Sequence, residues 1–329
     1  MLTSFIVLSI SMGVVYLFGC TGEIVIEKGG NLNLGIPGIM SLGALGGVIG
    51  SRIYFALFGV DSVVGVVLLI MIILFSIIFA VIGGLIYATL TVTFQANQNV
   101  TGLVLTMFGV GFMRFVGSKI GNDNLTLASR NVGAIFPNAS NLGWFGEIFL
   151  SYSFLTYLSI ALAVLAGLFL NKTRKGLFLR AIGESPQTAD SQGVNVLLYK
   201  YLAVIVGSAI AGLGGAYYVF NVSGGTTFVE ATIEAFGWLA VALVIFSMWK
   251  PVYGIFGSII FGALSILPIY LNIPVIQKKL FAILPYVITV IVLVVTSILD
   301  AKNSQPPKAL GVNYYREDRW IWIMLDQNH

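Results

Sequence analysis

The sequence predicts an all-α polytopic membrane protein with about nine transmembrane helices. Of the 329 residues, 58% are hydrophobic and only 9% are charged, whereas a soluble domain carries about 25% charged residues. The apolar residues form long unbroken runs, which suit spanning helices, because the strands of a membrane barrel would alternate over about ten residues. One transmembrane domain therefore accounts for residues 1–300.

Nine apolar runs can each form a span, within a range of about eight to ten. The first run has no basic residues before it and no small-residue cleavage site after it, so we expect a retained span rather than a signal peptide. The longest break, residues 120–149, predicts an external loop, and residues 301–329 form a polar tail. The runs are 2–18, 39–58, 62–90, 100–116, 150–170, 201–220, 236–249, 252–270 and 280–299.

Residues 22–40 form a polar stretch between two apolar runs and predict a broken or re-entrant segment. They include the Gly29–Gly30 pair and Pro37, through which a regular helix is not expected. Irregular backbone near a bilayer is tolerated where protein or a watery cavity satisfies its polar groups. In transporters such segments border the substrate path, although an ordinary surface loop fits the residues equally well.

The loop at residues 171–200 is the densest charged segment and predicts one short helix. Five of the 17 basic residues lie there. Ser185 is placed to cap a helix, Pro186 suits its first position, and Gly193 suits the left-handed residue just past its end. The predicted helix spans residues 186–192 and has little apolar surface of its own. An unimportant helical turn in a polar loop is the alternative.

Several kinds of chemistry are missing from the sequence. No G-x-x-x-x-G-K-[ST] phosphate loop is present, and the only histidine and only cysteine are His329 and Cys20. Neither a metal site nor histidine-based catalysis is therefore expected. No pair of intramembrane acids stands out as a proton relay. The sequence predicts no enzyme, and no nucleic acid partner either, because the basic residues cluster beside membrane segments.

Three stretches carry a family resemblance: GLFLRAIGESPQTADSQGVNVLLYK (residues 176–200), GEIVIEKGGNLNLGIPGIM (residues 22–40) and PPKALGV (residues 306–312). They resemble the permeases of ABC importers in the branched-chain amino acid and simple-sugar class, and the nucleoside branch of that class in particular. Two positions depart from the family pattern: Asp190 replaces an alanine, and Pro37 stands where the family usually has glutamate. The matching residues include Arg180, Ala181, Gly183, Glu184, Pro186, Ala189, Gly193 and Asn195, and Glu23, Glu27, Gly30, Asn33, Gly35, Gly38 and Met40.

The resemblance implies a cytoplasmic coupling helix that docks on a separate ATPase subunit. The coupling residues are then Gly183, Glu184, Ser185, Pro186, Ala189, Asp190 and Gly193. The chain itself binds no cofactor, since ATP and Mg²⁺ are held by the ATPase. Further implied partners are a second permease chain, commonly a different one, and an extracellular solute-binding protein. Candidates for the substrate pathway are Asn31, Asn33, Pro37, Asn97, Asn99 and Trp238.

Charge distribution predicts which side the loops face. If the 171–200 loop and the tail are cytoplasmic, inside segments hold eleven basic residues and outside segments hold four, as the positive-inside rule requires. This places a multi-pass protein in the bacterial plasma membrane with its C-terminus in the cytoplasm. The eleven are Lys28, Lys172, Arg174, Lys175, Arg180, Lys200, Lys250, Lys302, Lys308, Arg316 and Arg319, and the four are Lys119, Arg130, Lys278 and Lys279.

The function implied by the resemblance is the permease subunit of an ATP-driven importer of small polar solutes, with nucleosides favoured. Simple sugars and riboflavin-like solutes are alternatives, and a stand-alone secondary transporter or channel is the alternative from a different class. For the coupling helix, we expect that replacing Gly183 or Glu184, or charging Ala189, abolishes ATP-dependent uptake while the protein stays inserted and folded.

Overall fold

The computed structural model describes residues 2–61, 63–120, 124–136, 139–225, 230–271, 283–298 and 305–315. Within these ranges the regular elements are helices, thirteen of them α-helical. They are α1 (Leu2–Lys28), α2 (Ile36–Phe58), α3 (Gly65–Ala88), α4 (Gln98–Ile120), α5 (Leu125–Asn131), α6 (Gly143–Leu150), α7 (Phe154–Lys172), α8 (Arg174–Glu184), α9 (Pro186–Ser191), α10 (Val196–Tyr217), α11 (Glu230–Phe246), α12 (Pro251–Tyr270) and α13 (Leu284–Ile298).

Seven helices in the described part of the chain are long and apolar enough to cross a membrane. They are α1, α2, α3, α4, α7, α10 and α12, of which α3 and α10 are prolonged by a π-helical turn, to Thr93 and Val222. Two further apolar helices are shorter, α11 with 17 residues and α13 with 15. The predicted all-helical polytopic membrane class is confirmed.

The spanning helices run between two ends of the bundle. The loop end holds residues 29–35, 94–97, 173–195, 247–250 and 305–315, which contact one another; for example, the Ala309 amide donates to the Gly183 carbonyl at 2.9 Å. The opposite end holds the start of α1 and the turns after α2 and α10. There the Ser129 hydroxyl donates to the Phe220 carbonyl at 2.5 Å, and Phe5 packs edge-on against Tyr270.

Small residues set the spacing of the central helices. α10 packs against α1, α2 and α3, and α1 also packs along α12. At the α2–α10 contact, a Cβ on Gly43 would overlap the backbone of Gly212, and at the α1–α12 contact a Cβ on Gly13 would lie 2.6 Å from the Ser258 carbonyl oxygen. Lipid gives no hydrophobic drive for helices to associate, so such close backbone contact supplies much of the attraction.

The outer surface of α3 shows how the bundle meets the bilayer. Exposed apolar side chains recur every four residues along this helix, at Val66, Ile70, Leu74, Ile78 and Ile82. Residues four apart lie on one face of a helix, so α3 turns a continuous apolar stripe outward. An apolar stripe of this kind is suited to lipid.

The structure corrects two of the predictions and adds detail to a third. α1 does not end at Phe18 but continues to Lys28, because only isolated glycines, which a helix tolerates, precede the Gly29–Gly30 pair. The loop at 171–200 contains a second helix, α8, that was not predicted. The break at 120–149 holds two short helices, α5 and α6. Parts of the last predicted span (280–282 and 299) and of the predicted tail (301–304 and 316–329) lie outside the described ranges.

The packing of Gly43 yields a stability prediction. In Gly43→Ala, the added methyl must displace the backbone of α10, and we expect a loss of about 1–3 kcal/mol, which is typical of overpacking. The matched control is Gly111→Ala on α4, where a Cβ meets no atom within 4 Å. Thermal unfolding in detergent should show a lower midpoint for the first variant and an unchanged one for the second. Equal midpoints would contradict the close α2–α10 contact.

Candidate functional site

The short helix predicted in the charged loop is present as α9. The Ser185 hydroxyl accepts from the Thr188 amide at 3.3 Å, and Pro186 occupies the first turn. Gly193 has a φ of +80° just past the end, and its amide donates to the Asp190 carbonyl at 2.9 Å. The helix ends at Ser191, one residue before the predicted boundary.

α8 precedes α9 and is capped in the same way. The Thr173 hydroxyl accepts from the Gly176 amide at 3.0 Å. A threonine followed by twelve residues without proline is the sequence signal for this helix, whereas the density of charge in the segment favours a loop. With α8, the charged segment becomes two consecutive helices at the loop end of the bundle.

α9 has an inner and an outer face. Pro186 and Ala189 are buried, and Ala189 packs in a small apolar cluster with Ile182, Val196 and Tyr314. Thr188, Ser191 and Gln192 are exposed. The outer face of α9 is therefore polar and does not pack against the rest of the described chain.

This orientation corrects the expectation for the coupling variants. A charge at Ala189, which is only 4% exposed, would enter an apolar cluster and destabilise the fold. Gly183 is also buried, and a Cβ there would overlap the Lys28 carbonyl oxygen. Of the proposed coupling residues, Glu184 is exposed, and Asp190 is half-buried at the rim of a cavity that Gln95 and Tyr314 also line.

Residues 29–35 form an irregular linker between α1 and α2 that is almost fully enclosed by protein. The Asn31 side-chain amide donates to the Lys200 carbonyl at 3.5 Å. The Asn33 backbone amide donates to Glu23 Oε1 at 3.1 Å, and its side-chain oxygen accepts from the Gly35 amide at 2.9 Å. The protein thus satisfies the backbone of this break, as membrane depth requires.

Three buried polar atoms around the linker have no hydrogen-bond partner within the described ranges. They are Asn31 Oδ1, Asn33 Nδ2 and Glu23 Oε2. All three side chains are 0% exposed. A buried polar atom without a partner costs about 1–3 kcal/mol, so this cluster is the least satisfied polar region of the linker.

Two carboxyl groups in α1 were missed as site residues. Glu23 and Glu27 lie one turn apart on the same face of α1, and both side chains are buried. Trp249, in the turn between α11 and α12, donates its indole N–H to Glu27 Oε2. This buried pair was not singled out from the sequence, although two glutamates four residues apart were the signal for it. That no acid pair acts as a proton relay stays a prediction.

The Trp249 side chain is held in place by an unusual backbone. Met248 and Trp249 both have a φ of +54°, which is uncommon for residues with large side chains. Such strain persists only where the surroundings over-determine it. The turn thus places the indole ring against Glu27 and ties α1 to the start of α12.

Residues 305–315 form a strap across the loop end. Its Ala309 amide bonds to α8 through Gly183, and its Gly311 amide donates to the Gly30 carbonyl at 3.3 Å. The Gln98 side chain completes the connection, because its oxygen accepts from the Leu32 amide at 2.8 Å and its nitrogen donates to Asn313 Oδ1 at 3.1 Å. The strap therefore joins α8, the linker and the start of α4.

The remaining pathway candidates lie in two places. Pro37 is in the first turn of α2, packed against Gly237 of α11, and the half-buried Trp238 is the next residue of α11. Asn97 and Asn99 are exposed at the loop end, and Asn97 Oδ1 accepts from the Val100 amide at 3.1 Å as a cap of α4. The structure thus brings Asn31 and Asn33 together with Glu23, and keeps Asn97 and Asn99 outside that cluster.

The described ranges contain no candidate metal site, since no three or more histidine, cysteine, aspartate or glutamate side chains there form a group that could hold an ion. The site is a set of buried amides and carboxyl groups beside a two-helix segment. Such groups can exchange hydrogen bonds with a polar solute.

Comparison with known proteins identifies the family. The family model described as "Branched-chain amino acid transport system / permease component" matches residues 5–293. No solved structure matches the chain.

Three curated relatives cover most of the chain. The nucleoside ABC transporter permease protein NupC of Lactococcus lactis subsp. cremoris is 32% identical over 91% of this chain and 93% of its own length. The putative glucose ABC transporter permease protein TsgC13 of Haloferax volcanii is 31% identical over 79% and 75%. The guanosine ABC transporter permease protein NupQ of Bacillus subtilis is 28% identical over 91% and 92%. The family resemblance predicted from three short stretches is thereby confirmed, and the chain belongs to the permease components of the branched-chain amino acid transport system family.

Proposed function

We propose that this chain is the membrane-spanning permease subunit of an ABC importer and forms part of a translocation pathway for nucleosides. The observation that carries the proposal is full-length similarity to permeases named for nucleosides and guanosine. A sugar substrate is the second candidate, because a putative glucose permease is similar at almost the same identity.

The proposed topology has nine membrane crossings. α11 and α13 are added to the seven long helices, because the strap lies at the loop end and α12 ends at the opposite end beside Phe5. Because α1 starts at the opposite end and the strap lies at the loop end, the chain must cross the membrane an odd number of times between them. The linker at 29–35 remains the broken segment, enclosed by protein at the loop end.

The loop end is proposed to face the cytoplasm. Eight basic residues among those described lie toward this end, and four lie toward the other. Cytoplasmic segments carry the excess of lysine and arginine in membrane proteins. The eight are Lys28, Lys172, Arg174, Lys175, Arg180, Lys200, Lys250 and Lys308; the four are Arg52, Arg114, Lys119 and Arg130.

In this arrangement a separate ATPase subunit, which holds ATP and Mg²⁺, contacts the exposed face of α9. Its movement passes from α9 to α8, then through Gly183 to the strap and the linker. A second, homologous permease chain completes the pathway, and an extracellular solute-binding protein delivers substrate to the opposite end. The chain performs no catalysis itself.

The unsatisfied atoms near the linker are proposed to serve the substrate. A nucleoside offers hydroxyl groups and base edges that both donate and accept hydrogen bonds. Asn31 Oδ1, Asn33 Nδ2 and Glu23 Oε2 offer both kinds of partner and have none in this conformation within the described ranges. Opening of the linker would expose these atoms to a solute and remove the cost of leaving them unpaired.

The proposed function is tested by gentle extraction of a tagged chain from native membranes, followed by reconstitution into vesicles. We expect a co-purified ATPase and ATP-dependent uptake of labelled guanosine. Unlabelled nucleosides should reduce this uptake by competition, and glucose should not. Competition by glucose alone would favour the sugar candidate. Uptake by the chain alone without ATP would replace the proposal with a secondary transporter.

The exposed face of α9 yields a coupling prediction. Ser191→Arg places a long charged side chain on this face, where the chain's own fold has room for it, so we expect loss of the bound ATPase and at least about tenfold slower uptake. The control is Ser118→Arg, because Ser118 is an exposed serine on α4 whose hydroxyl also donates to the carbonyl three residues earlier. The measurement is ATPase recovered per tagged chain. Full recovery with Ser191→Arg would disprove docking at α9.

The strap yields a second prediction. Gln98→Leu and Asn313→Ala each remove the Gln98–Asn313 hydrogen bond, which is worth about 1 kcal/mol. We expect each variant to keep its ATPase but to transport less solute per ATP hydrolysed. Gln98 also accepts from the Leu32 amide, and Asn313 also donates to the Gln95 carbonyl. The double variant should therefore exceed either single variant but fall short of their sum, since the Gln98–Asn313 bond is lost only once. Additive effects in the ratio of uptake to hydrolysis would contradict a shared connection.

A further inference from the structure

A polar cavity of about 510 Å³ opens at the loop end beside α8. It lies between the ends of α1 and α7, the side of α8, the start of α12 and the strap. Three cationic side chains line it, Lys28, Arg180 and Lys250, and each comes from a different element. Glu184 is the one carboxylate on its wall. The described lining therefore carries a net positive charge.

The cations are close enough to repel one another. The charge of Lys28 interacts with those of Arg180 and Lys250, and also with those of Glu184 and Glu27. The Nε atom of Arg180 is buried and has no hydrogen-bond partner among them. Like charges from the end of α1, the side of α8 and the start of α12 would be stabilised by an anion in the cavity.

The position of the cavity indicates the kind of anion. Leu170 and Pro251, at the end of α7 and the start of α12, give it an apolar border where spanning helices leave the bilayer. The 20-residue helix α12 also directs its positive N-terminal end toward this border. A ligand with a phosphate next to apolar chains would match both sides of the site.

We propose that this cavity binds the phosphate headgroup of an anionic phospholipid. Basic pockets between spanning helices on the cytoplasmic side are suited to such headgroups, and the inference rests on the proposed function only for the cytoplasmic orientation. A bound headgroup bridges α8 to the ends of α1 and α12. The lipid would then brace α8, which connects directly to α9.

The test uses the full chain, extracted with its associated subunits and placed in nanodiscs of phosphatidylglycerol and phosphatidylcholine. Native mass spectrometry then measures the phosphatidylglycerol that each protein retains. Lys28→Gln, Arg180→Gln and Lys250→Gln should each lower retention about fivefold, as the loss of one charge near an anionic surface predicts. Lys172→Gln and Arg174→Gln are the controls, since both residues are exposed at the same end and neither lines the cavity.

The outcomes separate the possible sources of negative charge. Equal retention in cavity and control variants would overturn the proposal. If the retained phosphatidylglycerol did not depend on the phosphatidylglycerol content of the nanodisc and yet was lost when inorganic phosphate is added, the cavity would bind free phosphate. That result would overturn the lipid as its ligand. If the cavity variants lost the ATPase but retained as much lipid as the unaltered chain, the lipid proposal would be overturned. The anion in the cavity would then be a carboxylate of the ATPase. Lys250→Arg, which keeps the charge, should retain lipid and so excludes misfolding as the cause. Lipid retention needs no transport, so the result stands apart from the identity of the substrate.

Discussion

The structure depends on enclosing seven residues of irregular backbone, the linker at 29–35, inside protein. Unpaired amides and carbonyls are costly near a bilayer, so each exposed group here must find a partner from another element. Glu23 of α1 and Gln98 of α4 accept from backbone amides of the linker, and the Lys200 carbonyl of α10 accepts from the Asn31 side chain. The positions of three helices are thereby determined at one point. A displacement of any one of them leaves the linker unsatisfied, and this makes the linker a sensitive place to couple movement with solute access.

The same enclosure explains why part of the site could be predicted from sequence and part could not. Ser185, Pro186 and Gly193 act within a few residues of one another, so local rules located α9 almost to the residue. The location of Asn33 beside Glu23, and of Trp249 beside Glu27, depends on tertiary packing of helices far apart in the chain. No local pattern contains that information. The composition predicted the membrane class for a different reason. The hydrocarbon core of the bilayer requires apolar residues along a whole span, and so many apolar residues show in the overall composition.

The burial of one face of α9 illustrates a further limit of sequence patterns. Ala189 matches the family pattern, yet it is buried against Ile182 and Val196 rather than presented on the surface. A pattern position can therefore hold the helix against its own bundle, while the neighbouring polar residues remain available to a partner. α8 was not predicted because its three basic residues, Arg174, Lys175 and Arg180, are typical of a polar loop between spans.

The strap has a consequence for biogenesis. Residues 309–313 follow every described helix in the chain, yet they bond to Gly30 and Gly183, which are synthesised much earlier. At about 5–20 residues per second, the linker waits on the order of ten seconds or more on the membrane before its last partner leaves the ribosome. Until then α1 and α8 can contact each other, but they lack the hydrogen bonds that the strap makes to Gly30 and Gly183. The loop end thus matures only after the membrane bundle is nearly complete, so that its assembly is controlled by translation.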